Sequence, residues 1–368
     1  VLGLVDVPGC PRPVSTSLDR QKPEEHHEAE WPDHGSSRER IFMEIVGNSL
    51  DDVLIELYKK LLTEGSENRG SRGDTIELLG VTLRVLRPRA RLSRSEDRGK
   101  PFSAVGELLW YLSGSDRLEF IKPYIGRYED DAVDGILQGA YGPRLFRKNG
   151  SINQVENVIA LLSQKPGSRR AVIQFFDAED IAIEKKEIPC TTALQFHLRD
   201  GALHMSATMR SNDAYWGLPH DIFCFTMLQE MISRRLGADL GTYIHHVGSM
   251  HLYDKYIDAA RQYMEEGHQR PNEMPEMPRG DPFLVVPALL DAEVRIRNGE
   301  AFGAEDMIEG QYWSDIARLL QVHWARRRGE DLSGLRSAFV SPVYLPFVNQ
   351  RPTPASSGAQ VVSEGAPK

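Results

Sequence analysis

The sequence predicts an α+β domain built on a large sheet, and three observations carry that expectation. Two runs of period-two alternation, Leu194-Phe196-Leu198 and Leu203-Met205-Ala207-Met209, are joined by Asp200-Gly201. Such alternation belongs to paired strands with one buried face, and Asp-Gly is a strong hairpin signal. Helical patterns fall between strand-like runs without the strict βαβ alternation of a doubly wound sheet. The 368 residues are 40% hydrophobic and 26% charged, enough to bury a large core.

The elements follow in order. Residues 1–38 are polar, with Pro11, Pro13, Pro23 and Pro32 and a charged run from Lys22 to Glu30, and read as a flexible extension. Residues 39–350 read as one globular domain and 351–368 as a flexible tail. Arg40–Thr63 places Ile41, Ile45, Leu50, Val53, Leu54, Leu57 and Leu61 on one helix face, ended by Gly65. Thr75–Val85 reads as a strand, with Gly80 suggesting a bulge. Glu107 sits in the short apolar helix AVGELLWYLSG. Ser151-x-x-Gln154 reads as a capping box that opens a helix with Val155, Val158, Ile159 and Leu162 inward. Ala171–Phe176 is a strand, Leu218–Leu236 and His251–Glu266 are helices with a strand at Leu240–Val247 between them, and Tyr312–Arg328 is a late helix.

Composition narrows the function. A net charge of −9 argues against a nucleic-acid partner, while a local basic pocket remains compatible with it. The three cysteines, Cys10, Cys190 and Cys224, form no CxxC pair, which suits a reducing cytosol and a single functional thiol. No apolar run approaches the ~18 residues of a membrane span, and the start has no signal-peptide pattern. The expectation is a soluble, cytoplasmic protein with no membrane partner.

A hairpin folds its ends together, so Cys190 and Arg210 should meet at one end of the sheet. A lone cysteine is more often a packing residue. Beside a guanidinium, however, a thiol of pKa ~8.5 is drawn towards the thiolate.

Pro189-Cys190, Gln195, Arg210-Ser211-Asn212-Asp213 and Gly217-Leu218-Pro219-His220-Asp221 follow one another without gaps. They resemble the thymidylate synthase superfamily, whose signature is Pro-Cys, a glutamine five residues on, Arg-Ser-x-Asp and Gly-Leu-Pro-x-Asn. The resemblance runs from about Arg40 to Tyr253 and gives nothing beyond about residue 265. It implies a three-layer catalytic domain with a large mixed sheet flanked by helices, homodimeric through the sheet, with a divergent C-terminal part. No short apolar tail like that of a synthase closes the sequence; a long segment from Asp254 stands in its place.

The resemblance also implies roles. Cys190 adds to C6 of a pyrimidine nucleoside monophosphate and makes C5 nucleophilic. C5 then attacks 5,10-methylenetetrahydrofolate, and loss of tetrahydrofolate leaves an exocyclic methylene. A synthase quenches that group with hydride, a hydroxymethylase with water. Glu107, in Glu-Leu-Leu-Trp, relays protons through water to base and folate, since a glutamate in an apolar helix is costly without a partner. Tyr141, in Ala-Tyr-Gly-Pro, helps remove the C5 proton; a turn tyrosine packed on the sheet is the plain alternative. Arg169-Arg170 resemble the pair that crosses the dimer interface to the partner's phosphate, a contact suited to guanidinium forks. Two surface arginines flanking a strand are the alternative. Arg210 and Ser211 complete the phosphate site, with Arg72 or Arg69 near the family's remaining phosphate arginine. Gln195 and Asp213 are assigned to the substrate, Asp213 also to the folate, and His251 with Tyr253 to the sugar hydroxyl. His245-His246 should face opposite sides of a strand, a poor metal pair, and no metal site is proposed.

Asp221 stands where a thymidylate synthase has asparagine. An amide answers both the N3–H donor and the O4 acceptor of uracil. Cytosine instead offers an N4 amino donor and a bare N3, which an aspartate matches by accepting from N4 and favouring a proton on N3. A mismatched polar contact in a buried site costs on the order of 1–3 kcal/mol, enough to reverse base preference. Capping the following helix is the other job open to this aspartate. In this position the chain resembles the cytidylate 5-hydroxymethylases. Thr191 replaces the histidine that follows the cysteine in synthases, and Arg127-Tyr128-Glu129-Asp130-Asp131 replaces their Trp-Asp-x-Trp segment. A smaller, more polar wall would admit water. The leading expectation is folate-dependent C5 hydroxymethylation of dCMP, with CMP open. A divergent thymidylate synthase acting on dUMP is the runner-up, and a non-catalytic nucleotide-binding relative the third.

Overall fold

The chain enters the fold as a strand, Met43–Gly47 (β1), and not as the first turn of a helix. Ile45 does fit the helical spacing, but Ser49 stops the helix from reaching back to it. Ser49 Oγ accepts from the Asp52 amide while Asp52 accepts from the Ser49 amide, and that capping box starts α1 (Leu50–Glu64). The computed structural model describes residues 43–70, 73–93, 101–268 and 270–349. Ile41, Arg72, the extension 1–38 and the tail 351–368 lie outside them.

β2 (Ser66–Gly70), β3 (Gly73–Val85), α2 (Pro101–Ser113), α3 (Leu118–Ile121), α4 (Tyr141–Phe146) and α5 (Gln154–Gln164) follow. Asn153, not Ser151, caps α5 by accepting from the Glu156 amide, while Gln154 turns to donate to the Arg144 carbonyl. β4 is confined to Val172–Gln174, and α6 (Glu179–Ala182) precedes the hairpin of β5 (Thr191–Arg199) and β6 (Ala202–Asp213). Its turn residues Asp200 and Gly201 both have positive φ, 49° and 77°, the pair whose twist matches the flanking strands.

α7 (Gly217–Arg235) leads to β7 (Asp239–Tyr253). His251 and Tyr253 are therefore strand residues, contrary to the helix expected from His251. They pair with Glu77 and Thr75 of β3, which carries the strand on until α8 begins at Ile257 and runs to Glu265. α9 (Val286–Arg297), α10 (Ala304–Met307), α11 (Gln311–Arg328), α12 (Ser333–Ala338) and α13 (Leu345–Asn349) complete the described chain.

Among the described residues the strands form one mixed sheet in the order β1-β3-β7-β6-β5-β4, with β2 beside β3. β1–β3 and β6–β7 are parallel; the other pairs are antiparallel. Gly80 has φ 68°, but Leu79 faces Ser249 and Val81 faces Val247 with nothing inserted, so the expected bulge is absent there.

α1 and α7 pack on one sheet face, α2 packs on α7, and α9 and α11 pack on α2, giving three layers. Enclosure from both sides is why α2 reads as apolar all round. Gly106 lets Tyr124 close against α2, since a Cβ there would stand 2.2 Å from the Tyr124 ring. The opposite sheet face, with His204, Ser206, Thr208, Thr242 and His246, is partly exposed. Among the described residues no helix is long and apolar enough to cross a membrane.

Candidate active site

A cavity of about 520 Å³ opens at the end of the sheet away from the Asp200-Gly201 turn. The hairpin brings Cys190 and Arg210 together on its wall. The Arg210 amide donates to the Cys190 carbonyl at 2.8 Å, and its guanidinium donates to the carbonyls of Pro189 (2.9 Å) and Ile188 (3.2 Å). So held, Nη2 lies 3.6 Å from Cys190 Sγ. Cys224 is fully buried among apolar side chains, and burial pushes its thiol up, as for a packing residue.

Glu107 is 4% exposed on α2. Its Oε1 accepts from the hydroxyls of Tyr111 (3.0 Å) and Tyr128 (2.8 Å). Among the described residues Oε2 has no hydrogen-bond partner, and it stands 3.9 Å from His220 Nδ1; His220 Nε2 lies 2.9 Å from Ser103 Oγ. Asp213 Oδ1 accepts from the amides of Tyr215 (2.9 Å) and Trp216 (3.3 Å), while Oδ2 is ion-paired with Arg127 Nη1 at 3.6 Å. Trp110 lines the same cavity, and its buried Nε1 is unmatched among the described residues. Buried polar atoms are nearly always satisfied, and Glu107 Oε2 and Trp110 Nε1 differ from the other unmatched atoms in belonging to residues that line the cavity, where a polar ligand could meet them. An acid and an indole N–H suit the donor and acceptor edges of a pyrimidine and a reduced pterin.

Tyr141 begins α4, and its hydroxyl oxygen accepts from the Thr191 amide (3.1 Å) and hydroxyl (2.8 Å). Its own hydrogen is thereby left to donate into the cavity. Burial first, then Asp221 and Cys190, push its pKa well up, so it stays a phenol. Asp221 lies in the second turn of α7, whose N-cap is Trp216, so it does not cap that helix. It is 8% exposed and accepts from Asn212 Nδ2 at 2.7 Å. Burial and then Glu107 push its pKa well up, against the Asn212 donation. Ser211 Oγ is 3.4 Å from His251 Nδ1, and the rings of His251 and Tyr253 meet edge-on at 5.2 Å.

Some expected residues stand elsewhere. Gln195 does not line the cavity; its Nε2 donates to the Arg169 carbonyl at 3.1 Å. Arg169 and Arg170 are exposed and also off the cavity of their own chain. His245 and His246 face opposite ways, His245 fully buried and His246 at 3.0 Å from Thr82 Oγ1. Among the described residues no cluster suited to a metal occurs. The sequence reading gave no role of their own to Trp110, Tyr111 and His220, and took Arg127 and Tyr128 only as part of the segment that replaces Trp-Asp-x-Trp. Tyr111, four residues after Glu107 on one helix face, carried a signal in its spacing.

The thymidylate synthase family model matches residues 54–279, beyond the Tyr253 limit read from the motifs. The thymidylate synthase of Bacillus phage phi3T is 28% identical over 239 residues, covering 61% of this chain and 81% of that protein. A deoxyuridylate hydroxymethyltransferase of Pseudomonas phage M6 is 32% identical over 217 residues, covering 57% and 61%. The thymidylate synthase of Buchnera aphidicola subsp. Baizongia pistaciae is 31% identical over 214 residues, covering 56% and 80%. The chain belongs to the thymidylate synthase family, whose members are one-carbon transferases that use methylenetetrahydrofolate on a pyrimidine nucleotide.

Proposed function

We propose that this enzyme hydroxymethylates C5 of a cytosine nucleotide, dCMP before CMP. Asp221 carries the reading: a buried carboxyl on the cavity wall that does not cap its helix. Facing cytosine, a carboxyl accepts from the N4 amino group and shares its proton with N3, and the ring becomes a better electron sink as sulfur attacks C6. Cys190 Sγ is the nucleophile and Arg210, 3.6 Å away, the cation that favours its thiolate. Methylenetetrahydrofolate, when bound, supplies the one-carbon unit; Trp110 Nε1 and Glu107 Oε2 are the polar atoms offered to it and to the base. Tyr141 directs its hydroxyl into the cavity, where the C5 proton leaves. Glu107 Oε2 and His220 bracket a place for the attacking water. Arg169 and Arg170, exposed beside the open sheet face, would serve the phosphate of a second copy in a homodimer.

The second reading is methylation of dUMP, favoured by relatives named thymidylate synthase. A protonated Asp221 offers one donor and one acceptor, as an amide does, so its raised pKa is compatible with uracil. Incubation with methylenetetrahydrofolate and each of dCMP, CMP and dUMP, followed by mass analysis of the nucleotide, separates the two. A hydroxymethyl gain on a cytosine nucleotide supports the proposal; a methyl gain on dUMP supports the alternative. No turnover of any of the three points to a non-catalytic nucleotide-binding relative.

A further inference from the structure

The base-facing carboxyl ends a hydrogen-bond chain that runs into the core. Asn212 Nδ2 donates to Asp221 Oδ2 at 2.7 Å, Asn212 Oδ1 lies 3.0 Å from His245 Nε2, and His245 Nδ1 lies 2.6 Å from the Tyr243 hydroxyl. Tyr243 and His245 are fully buried and Asn212 is 4% exposed. An amide oxygen only accepts, so His245 Nε2 carries the hydrogen. Burial pushes the His245 pKa down to about 3, so the ring is neutral, Nδ1 is bare and Tyr243 is the donor. Every polar atom in the chain is then matched.

Reversing the Asn212 amide would turn its oxygen to Asp221, demand a protonated carboxyl there and move the His245 hydrogen to Nδ1. The Tyr243 hydroxyl hydrogen would then point into the core, where His245 is its one hydrogen-bond partner among the described residues. Buried hydroxyls avoid that state. The tyrosine thus gives the chain its direction.

We propose that Tyr243, His245 and Asn212 are specificity-positioning residues that hold a donor, never an acceptor, against Asp221 and so favour the amino-bearing pyrimidine over its oxo counterpart. The proposal rests on Asp221 being the base reader. Uracil needs Asp221 as the acid, donating to O4, whereas cytosine takes the proton on N3 and leaves a carboxylate. A fixed donor at Oδ2 stabilises the carboxylate and weakens the acid. Burial and Glu107 of α2 push Asp221 towards the acid, as does Asp213 of β6 more weakly; Asn212, helped by Arg127, is the foremost influence the other way.

The test is Tyr243→Phe in the full chain, which keeps the ring and removes only the hydroxyl, with Asn212→Leu as a second variant. The ratio of dUMP to dCMP dissociation constants, measured calorimetrically, should fall roughly tenfold in Tyr243→Phe as the chain loses its direction. Asn212→Leu should lower it at least as far. Nitrogen-15 spectra should show His245 as the Nε2–H tautomer in the wild type and as a tautomer mixture in Tyr243→Phe, a readout that general loosening would not produce. An Nδ1–H tautomer in the wild type, or an unmoved ratio in both folded variants, overturns the proposal. A wild type that prefers dUMP, with variants that shift further towards dUMP, overturns the cytosine reading and leaves the chain's role standing.

Discussion

Asp221→Asn is the sharpest perturbation of the base choice. The side chain is 8% exposed, so solvent does not repair a mismatch there. The Asn212 amine at 2.7 Å will claim the oxygen of the introduced amide, which turns the new NH2 group towards the base. That group meets the N4 amine of cytosine donor to donor, and meets the O4 of uracil as a proper partner. Each mismatched buried contact costs about 1–3 kcal/mol, and cytosine loses one where uracil gains one. The difference is ~2–6 kcal/mol, at least a thirtyfold change in the ratio of kcat/KM for dCMP and dUMP. The assay is initial rates on both nucleotides with saturating methylenetetrahydrofolate, scored by product mass. A ratio within about threefold of wild type refutes the assignment of Asp221 to the base edge.

The other predictions concern the nucleophile, the interface, the helix seating and acid stability. Cys190→Ser should abolish turnover and leave nucleotide binding within about threefold by calorimetry, since the thiolate acts after binding. Co-expressing Cys190→Ser with Arg169→Ala/Arg170→Ala should restore about a quarter of wild-type activity, because half of randomly mixed dimers hold one intact site. No recovery counts against arginines donated across a dimer. Gly106→Ala forces a methyl against Tyr124, which should cost roughly 1–3 kcal/mol in urea unfolding and lower kcat by displacing Glu107. His245, held near a pKa of about 3 in the fold, takes up its proton only in the unfolded chain as pH falls below ~6.5. Stability should therefore be lost from about pH 6 towards pH 3, by up to ~1.4 kcal/mol per pH unit. His245→Gln should flatten that slope; equal slopes would refute it.

The hairpin, the apolar helix around Glu107 and the late helix were legible because each rests on local signals: turn chemistry, periodicity and length. That Cys190 and Arg210 lie together was legible because their spacing in sequence matches a strand–turn–strand that reunites its ends. The errors fell where tertiary pairing overrules local pattern. His251 looks helical until β3 supplies a partner strand, and Ile45 fits the α1 stripe until Ser49 caps the helix after it. Gln195 was assigned by motif position, but beside β4 its side chain meets the Arg169 carbonyl instead of the cavity. The partners of Arg127, Tyr128 and His220 were unreadable because only the folded loop after α3 and the first turn of α7 carry them to Glu107 and Asp213.

The tight seat of Tyr124 under Gly106 has a wider bearing. Its hydroxyl donates to Glu293 of α9 at 2.7 Å and accepts from the Trp324 indole of α11 at 3.1 Å. One ring therefore rivets the rod bearing Glu107 to the late helices. Those helices line none of the cavity themselves but buttress α2 from behind, and a nick or truncation among them should be felt at the carboxylate as a change in chemistry, not as the trimming of an appendage.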